Sequence, residues 1–366
     1  MRARSSARDL SRPRFRSSVE PFASPSEPST DLAQGGFRSR TVLTTLGNPN
    51  LIRETTPQSE RPLNERERDL LLRQLTPRDV AILTVLSQYR YLDQAQLQQL
   101  FFPSPRSTQL RTAWLKDRGL VLRWLRLGPQ GWQRHPSVLL LSARGARLLA
   151  ALRAEDPRPG VRRSHHAQAH CFHLTHDMEA NGFFIALAHA SRALRDEGLY
   201  HWVGEWAARI LYKERGAAFA PDGWGRYLTP TGEVVVLLEW DRGTESPQRL
   251  GAKANQYVRY FQGRRDAEVN HVLFVASTPT REGVIQVAVA RRLPAAHRPC
   301  CRFWTTSADR LQNEGSLAAL WSPVAGSTGR LGLADLPKRP RSARSADDCI
   351  GKPAWWERRV GGGEGA

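Results

Sequence analysis

The run Glu233-Val234-Val235-Val236-Leu237-Leu238 leads directly into Glu239-Trp240-Asp241-Arg242-Gly243-Thr244, and this junction constrains the fold more than any other stretch. The apolar run is too β-branched and too short for a surface helix, so it reads as a buried strand. Side chains two apart share one face of a strand, so Glu239 and Asp241 emerge together at its end. Just upstream, Ala220-Pro221-Asp222-Gly223 brings a third carboxylate. Three carboxylates beside a hydrophobic strand repel one another and are costly to desolvate unless a cation neutralises them. Oxygen-only ligands favour Mg2+ or Mn2+ over zinc, so Asp222, Glu239 and Asp241 are the expected metal ligands.

A chain of 366 residues has room for two domains plus tails. Its 40% hydrophobic residues suffice for real cores, while a mean hydropathy of −0.49 implies long polar segments as well. The net charge is +19, from 54 basic against 35 acidic residues, and most of the positive charge is arginine. A GC-rich genome accounts for part of an arginine bias but not for that imbalance. Arginine binds phosphate bidentately and stacks on bases, so double-stranded DNA is the first partner expected. Cys171, Cys300, Cys301 and Cys349 show no C-x-x-C spacing, which supports neither a zinc ribbon nor a disulfide framework, and a reducing cytoplasm, with the protein on the nucleoid, is the expected compartment. No apolar run approaches the length of a bilayer span, so no membrane partner is expected.

Residues 1–60 are rich in Ser, Pro, Arg and Thr without apolar periodicity and read as a disordered basic arm; the Arg- and Ser-rich start has a loose likeness to a transit peptide. Residues 336–366, with Lys338-Arg339-Pro340-Arg341, read as a second disordered basic tail. In the block 64–153, Thr76 caps a helix with Pro77 at its first position, and Val80, Leu83, Val85 and Leu86 carry it to Tyr89. Asp93 caps a second helix through Leu97, Leu100 and Phe101. Pro103 and Pro105 break the chain, and Ser107 or Thr108 opens a third helix that stops at Gly119. Strands at 120–127 and 137–141 flank a Gly128-Pro129-Gln130-Gly131 turn, and Ser142 caps a last helix.

Three helices, a two-stranded wing and a helix are the winged helix-turn-helix pattern. Arg106, Arg111, Lys116, Arg118, Arg123, Arg126 and Arg134 on its third helix and wing face only one acid, Asp117. In such folds the third helix enters the major groove while the wing touches the backbone. Winged helices also serve as protein-interaction modules, and arginines contact phosphate as readily as guanine, so no base sequence is read from these residues.

The block 164–325 alternates helix and strand. His173 to Leu194 is a helix; Tyr200 to Leu211 reads as a strand with Glu205 near its middle. Ala218 to Leu228 and Glu233 to Asp241 read as antiparallel strands joined at Thr229-Pro230-Thr231-Gly232. Ser246-Pro247 starts a helix to Phe261, Asn270 to Ala276 is a buried strand, and a short helix near Arg281 and a strand from Val284 to Ala290 follow. The order is α-β-β-β-α-β.

With Pro221-Asp222 on its second strand and Glu239-x-Asp241 on its third, that order resembles the PD-(D/E)xK nuclease superfamily. The chain as a whole resembles more specifically the replication-relaxation family of plasmids and integrative elements. Its phrases Tyr89-Arg90-Tyr91-Leu92 through Leu97-Gln98-Gln99-Leu100-Phe101-Phe102, His176-Asp177 with Asn181, and Lys253-x-x-x-Tyr257 carry that resemblance over residues 76–290. It implies an α+β fold in which a winged helix precedes a nuclease-like domain acting at a plasmid or mobile-element origin. A homodimer is one assembly open to it. The nuclease signature wants a lysine where Asp241 stands, and some branches move it to the next helix, where Lys253 lies on one face with Tyr257. If the site is active, Asp222 and Glu239 hold the metal, Asp241 is a ligand or positions water, and Lys253 stabilises the nucleophile or the phosphorane. If it is inactive, Asp241, Arg242 and Lys253 form a salt-bridged cluster in a DNA-binding pseudo-nuclease, leaving a non-catalytic initiator or regulator.

Residues 165–177 hold five His, a Cys and an Asp, which admits a structural zinc but fits better a helix start that brings His176 or Asp177 to the carboxylates. Tyr257 and Tyr260 read as packing residues more readily than as covalent nucleophiles. Trp240 reads as core or interface, and Gly223, Gly225 and Gly243 as turns; no phosphate-cradling G-x-x-x-x-G-K-S/T sequence occurs.

Overall fold

In a computed structural model of the chain, residues 42–46, 48–55, 57–127, 134–262, 270–293, 301–324, 329–341, 346, 349–352 and 355 are described. Residues 1–41, most of the expected N-terminal arm, lie outside them. β1 (Val42–Leu46) and β2 (Asn48–Thr55) precede α1 (Glu65–Gln74), α2 (Pro77–Tyr89), the two-residue β3 (Leu92–Asp93), α3 (Gln94–Phe101) and α4 (Pro105–Asp117). β4 (Val121–Leu127), β5 (Arg134–Leu141), α5 (Ala143–Arg153) and α6 (Pro157–Ala169) follow. These strands form an antiparallel sheet in the order β1-β2-β4-β5-β3.

Local chemistry fixes most of these ends. Thr76 caps α2 and Asp93 caps α3, each by a reciprocal capping box, with Pro77 at the first position of α2. Pro105 does not break the chain as expected. It sits at the start of α4 behind the N-cap Ser104, where its missing N–H has no helical partner to lose.

The second half runs α7 (Leu174–Ala190), β6 (Gly198–Gly204), α8 (Glu205–Glu214), β7 (Gly223–Thr229), β8 (Gly232–Asp241), α9 (Pro247–Gln262), β9 (Asn270–Ala276), α10 (Pro279–Ala290), β10 (Cys301–Ser307), α11 (Ala308–Glu314) and the short β11 (Ser322–Pro323). Its sheet has the order β11-β10-β9-β8-β7-β6, parallel where β9 meets β8 and β10 and antiparallel at the remaining pairs. Every residue of β8 from Gly232 to Glu239 is buried, as its apolar run requires. The described residues fall in one compact unit, and one apolar cluster runs from Ile82 and Leu97 through Phe184 to Val236 and Trp321.

The mixed α+β class holds, and several local expectations are corrected. Backbone strands occupy Val42–Leu46 and Asn48–Thr55 inside the presumed arm, because β2 pairs with β4 and buries Leu51. The strand expected over Tyr200–Leu211 stops at Gly204. Glu205 opens α8, whose Ala208 and Tyr212 are buried one helical turn apart. Val284–Ala290 is helical: Thr278 caps α10, and Ile285, Ala288 and Val289 recur at helical spacing. The C-terminal segment is packed where it is described: Arg339 pairs backbone and side chain with the buried Glu233, Lys352 donates to the Ser191 carbonyl at 3.0 Å, and Trp355 stacks on Phe101. Arg339 and Lys352 thus serve buried acceptors rather than solvent.

Gly223 and Gly225 are not turns. They lie in β7, where a Cβ would fall 2.5 and 2.6 Å from ring carbons of Phe184, so their bareness lets α7 press onto the sheet. Gly243 does turn, at φ +85°. Among the described residues no helix is long and apolar enough to cross a membrane.

Candidate functional site

β8 ends beside the start of β7: Gly223 pairs with Leu238, and the Asp222 N–H donates to the Leu238 carbonyl at 2.9 Å. This register sets Asp222 against the carboxyl end of β8, where Glu239 leaves the strand. One Asp222 oxygen accepts from the Trp240 N–H at 2.7 Å and lies 3.2 Å from His176 Nε2. α9 buries Leu250, Ala254, Tyr257, Val258 and Phe261, a helical stripe that turns Lys253 and Tyr257 toward the same strand end. Lys253 Nζ donates to Glu239 Oε2 at 2.7 Å, and the Tyr257 hydroxyl donates to Oε1.

Glu239 is 1% exposed. Burial raises its pKa to about 7, and Asp222 adds to the rise although Lys253 and Tyr257 oppose it. Burial disfavours the Lys253 ammonium, but Glu239 and Asp222 outweigh that and raise its pKa, so Lys253 stays charged. Burial and Glu239 hold the Tyr257 phenol protonated well above its ordinary range. For His176 burial opposes the imidazolium, yet Asp222, Asp177 and Glu205 more than reverse it, lifting the ring to about 9. Burial pushes Asp177 up to about 7 against the pull of Arg90.

Asp241 takes a different position from the one expected of it. Both its oxygens are held by Arg281, from Nε and, at 3.1 Å, from Nη2, and Arg281 also donates to the Glu245 carbonyl at 2.6 Å. Arg281 fills both oxygens of Asp241, and Lys253 and Tyr257 fill both of Glu239, so of the three acids Asp222 keeps the most room for a hard cation. Nor is there a cluster of Asp241, Arg242 and Lys253: Arg242 pairs with Glu179 at 3.3 Å, and Lys253 with Glu239 and, at 3.5 Å, Glu245. Trp240 donates from its ring to Glu179 at 3.0 Å.

His176 and Asp177 stand in the first turn of α7, as the helix-start reading of the His-rich run anticipates. Arg90, which ends α2 with φ +66°, reaches Asp177 at 3.1 Å and the His166 ring at 3.4 Å. The remaining histidines of the run face elsewhere: His165 meets Glu60 at 3.0 Å and His170 stacks on His166. Arg90, Glu205, Glu245 and Arg281 escaped sequence reasoning as site residues. Arg90 and Glu205 stood in view, the first inside a quoted phrase and the second in a misread strand.

The basic residues expected on a nucleic-acid face are mostly engaged internally. Arg111 grips the buried Asp79, with Nε at 2.6 Å, and lies over Trp114. Arg118 covers the other contact of that ring and bonds Gln74 at 3.3 Å; Lys116 and Arg123 share Glu54 at 3.6 and 2.6 Å. Arg126 is half-buried with Nη1 4.0 Å from the Met178 sulfur. Arg106 is exposed, and the Arg134 side chain lies outside the described residues. Exposed arginines also occur where none was expected, at Arg162 and Arg163 of α6.

Fold and cleft together define an α+β protein that holds an acid–lysine pair where strands of its central sheet end. The chain belongs to the replication-relaxation family, whose model matches residues 83–274, a span containing His176, Asp222, Glu239, Asp241 and Lys253. Membership suggests a role in plasmid or mobile-element replication or relaxation. No curated protein and no solved structure matches the chain.

Proposed function

We propose that this protein binds double-stranded DNA at a plasmid or mobile-element origin and nicks it with a PD-(D/E)xK-like site. The observation that carries the reading is the 2.7 Å contact from Lys253, on the helix after the strand, back to Glu239, with Asp222 alongside. That contact supports reading the site as a nuclease site whose lysine has moved off the strand. Asp222 and Glu239 would hold Mg2+ or Mn2+, which when bound polarises a phosphodiester oxygen and sharpens an attacking water. Lys253 remains protonated, so it acts on developing negative charge and not as a general base. Tyr257 keeps its proton and orients Glu239, which supports a positioning role for it rather than covalent attack. Arg281 fixes Asp241, so Asp241 buttresses the end of β8 instead of binding the ion.

Within this reading residues 64–153 act as a winged helix and 164–325 as the nuclease-like domain. The +19 charge supports phosphate binding, and the exposed Arg106, Arg162 and Arg163 are the side chains best free to make it. A second reading, a non-catalytic initiator, is favoured by one feature: Lys253, Tyr257 and Arg281 already occupy both oxygens of Glu239 and of Asp241.

The test is supercoiled origin DNA incubated with protein and Mg2+, wild type beside Asp222→Ala and Glu239→Gln. Nicking by wild type that both variants lose supports the assignment. Nicking that persists unchanged in the variants refutes the site, and DNA binding without nicking supports the non-catalytic reading.

A further inference from the structure

We propose that His176, Asp177 and Glu205 form a second divalent-cation site, distinct from the Asp222–Glu239 pair, suited to a transition cation of the Mn2+ or Zn2+ type. A ring nitrogen of His176 and one oxygen from each acid lie within 4.8 Å of one another. Two ligand atoms bonded to one ion at about 2.1 Å stand at most about 4.2 Å apart, so closing on an ion asks for under about 1 Å of side-chain movement. One imidazole and two carboxylates favour a borderline cation over Mg2+.

Two observations beyond the cluster point to an occupant. Asp177 is 5% exposed, and while Arg90 bonds its Oδ2, its Oδ1 has no hydrogen-bond partner. An acceptor left bare inside a protein is costly, and native structures fill such places with water or an ion. Asp177 also lines a cavity of about 10 Å3 together with Glu205, Asp222, Arg90, Asn181 and Gly204 among others. That volume is about one water or one ion.

The charges around the cavity roughly cancel while His176 is an imidazolium, and a cation would take the place of its proton. Asp177, Glu205 and Asp222 supply three carboxylates, while Arg90 bonds Asp177 and the exposed Arg209 reaches Glu205 from the surface. His176 joins the two sites, since its Nε2 lies 3.2 Å from Asp222 and 3.1 Å from the Trp240 carbonyl. A ligating imidazole is commonly oriented by such an outer partner.

The experiment is a Mn2+ titration of the full chain, read by the electron paramagnetic resonance of free Mn2+ and by calorimetry, with competition by Zn2+ and Mg2+. Wild type, Glu205→Gln, Asp177→Asn and Glu239→Gln are compared after their folding is checked by circular dichroism. The expected result includes an ion that Glu205→Gln or Asp177→Asn weakens at least about tenfold and that Glu239→Gln leaves in place, separate from any ion that only Glu239→Gln removes. Zn2+ should displace it more readily than Mg2+. Asp177→Asn is the second variant should Glu205→Gln fail to fold. Wild-type-like binding by both variants overturns the inference, and so does the absence of any bound Mn2+, which would mark the cavity as a water site. An ion lost only in Glu239→Gln, with none weakened by Glu205→Gln or Asp177→Asn, overturns this site while supporting the metal of the proposed nicking centre.

Discussion

Removing Lys253 should cost stability in a way that depends on pH, because Glu239 can escape its burial by taking a proton. Between its ordinary 4.5 and the roughly 7 it reaches when folded, Glu239 ionises in the unfolded chain first. The Glu239 contribution to wild-type stability therefore falls through that window by about 1.4 kcal/mol per pH unit, on the order of 3 kcal/mol in all, and then levels off. Above pH 7 wild type keeps the ionised Glu239 because Lys253 sits 2.7 Å away. In Lys253→Met the folded pKa of Glu239 rises further, so its contribution keeps declining where in wild type it is flat. The two proteins should match, or the variant be slightly the more stable, at pH 6, where a protonated Glu239 gains little from a buried ammonium. The gap should then open by about 1.4 kcal/mol per unit, to somewhat under about 3 kcal/mol at pH 9. The assay is urea unfolding at pH 6, 7, 8 and 9 with a chelator present, and the control is Lys253→Met combined with Glu239→Gln, whose gap should not move with pH. A gap of constant size across the range would refute the reasoning, since it would mean that Lys253 contributes packing and not a counter-charge to Glu239.

Two further outcomes follow from the same geometry. Gly225→Ala should destabilise by about 1–3 kcal/mol through its clash with Phe184, and Phe184→Leu should recover part of that loss; thermal unfolding of the single and double variants checks it. Arg106→Ala should leave the unfolding midpoint unchanged while weakening DNA binding and lowering its salt slope by about one, whereas Arg111→Ala should lose about 3–5 kcal/mol by stranding the buried Asp79. Fluorescence anisotropy across salt, run beside urea curves, separates the two.

The expectations that held rest on short-range regularities. The capped starts of α2 and α3, the buried β8 and the helix carrying Lys253 and Tyr257 are each written in a few neighbouring residues, through capping, side-chain period and proline placement. The strand assigned beyond Gly204 failed because a short apolar run ending in Ala207-Ala208 suits either period, and only packing onto β6 and β7 selects the helix.

The amino-acid sequence by itself determined that Asp222, Glu239 and Asp241 would leave the strand region close together, because register and the two-residue period place them so. It also determined that Lys253 and Tyr257 would share a face. Which cation answers which acid was decided only in three dimensions. Arg281 reaches Asp241 across 40 residues, Arg90 reaches Asp177 across 87, and Arg339 reaches Glu233 across 106. A buried carboxylate must be neutralised by whatever cation the packing brings within about 4 Å, and that proximity is a property of how the elements stack rather than of the order in which they are written.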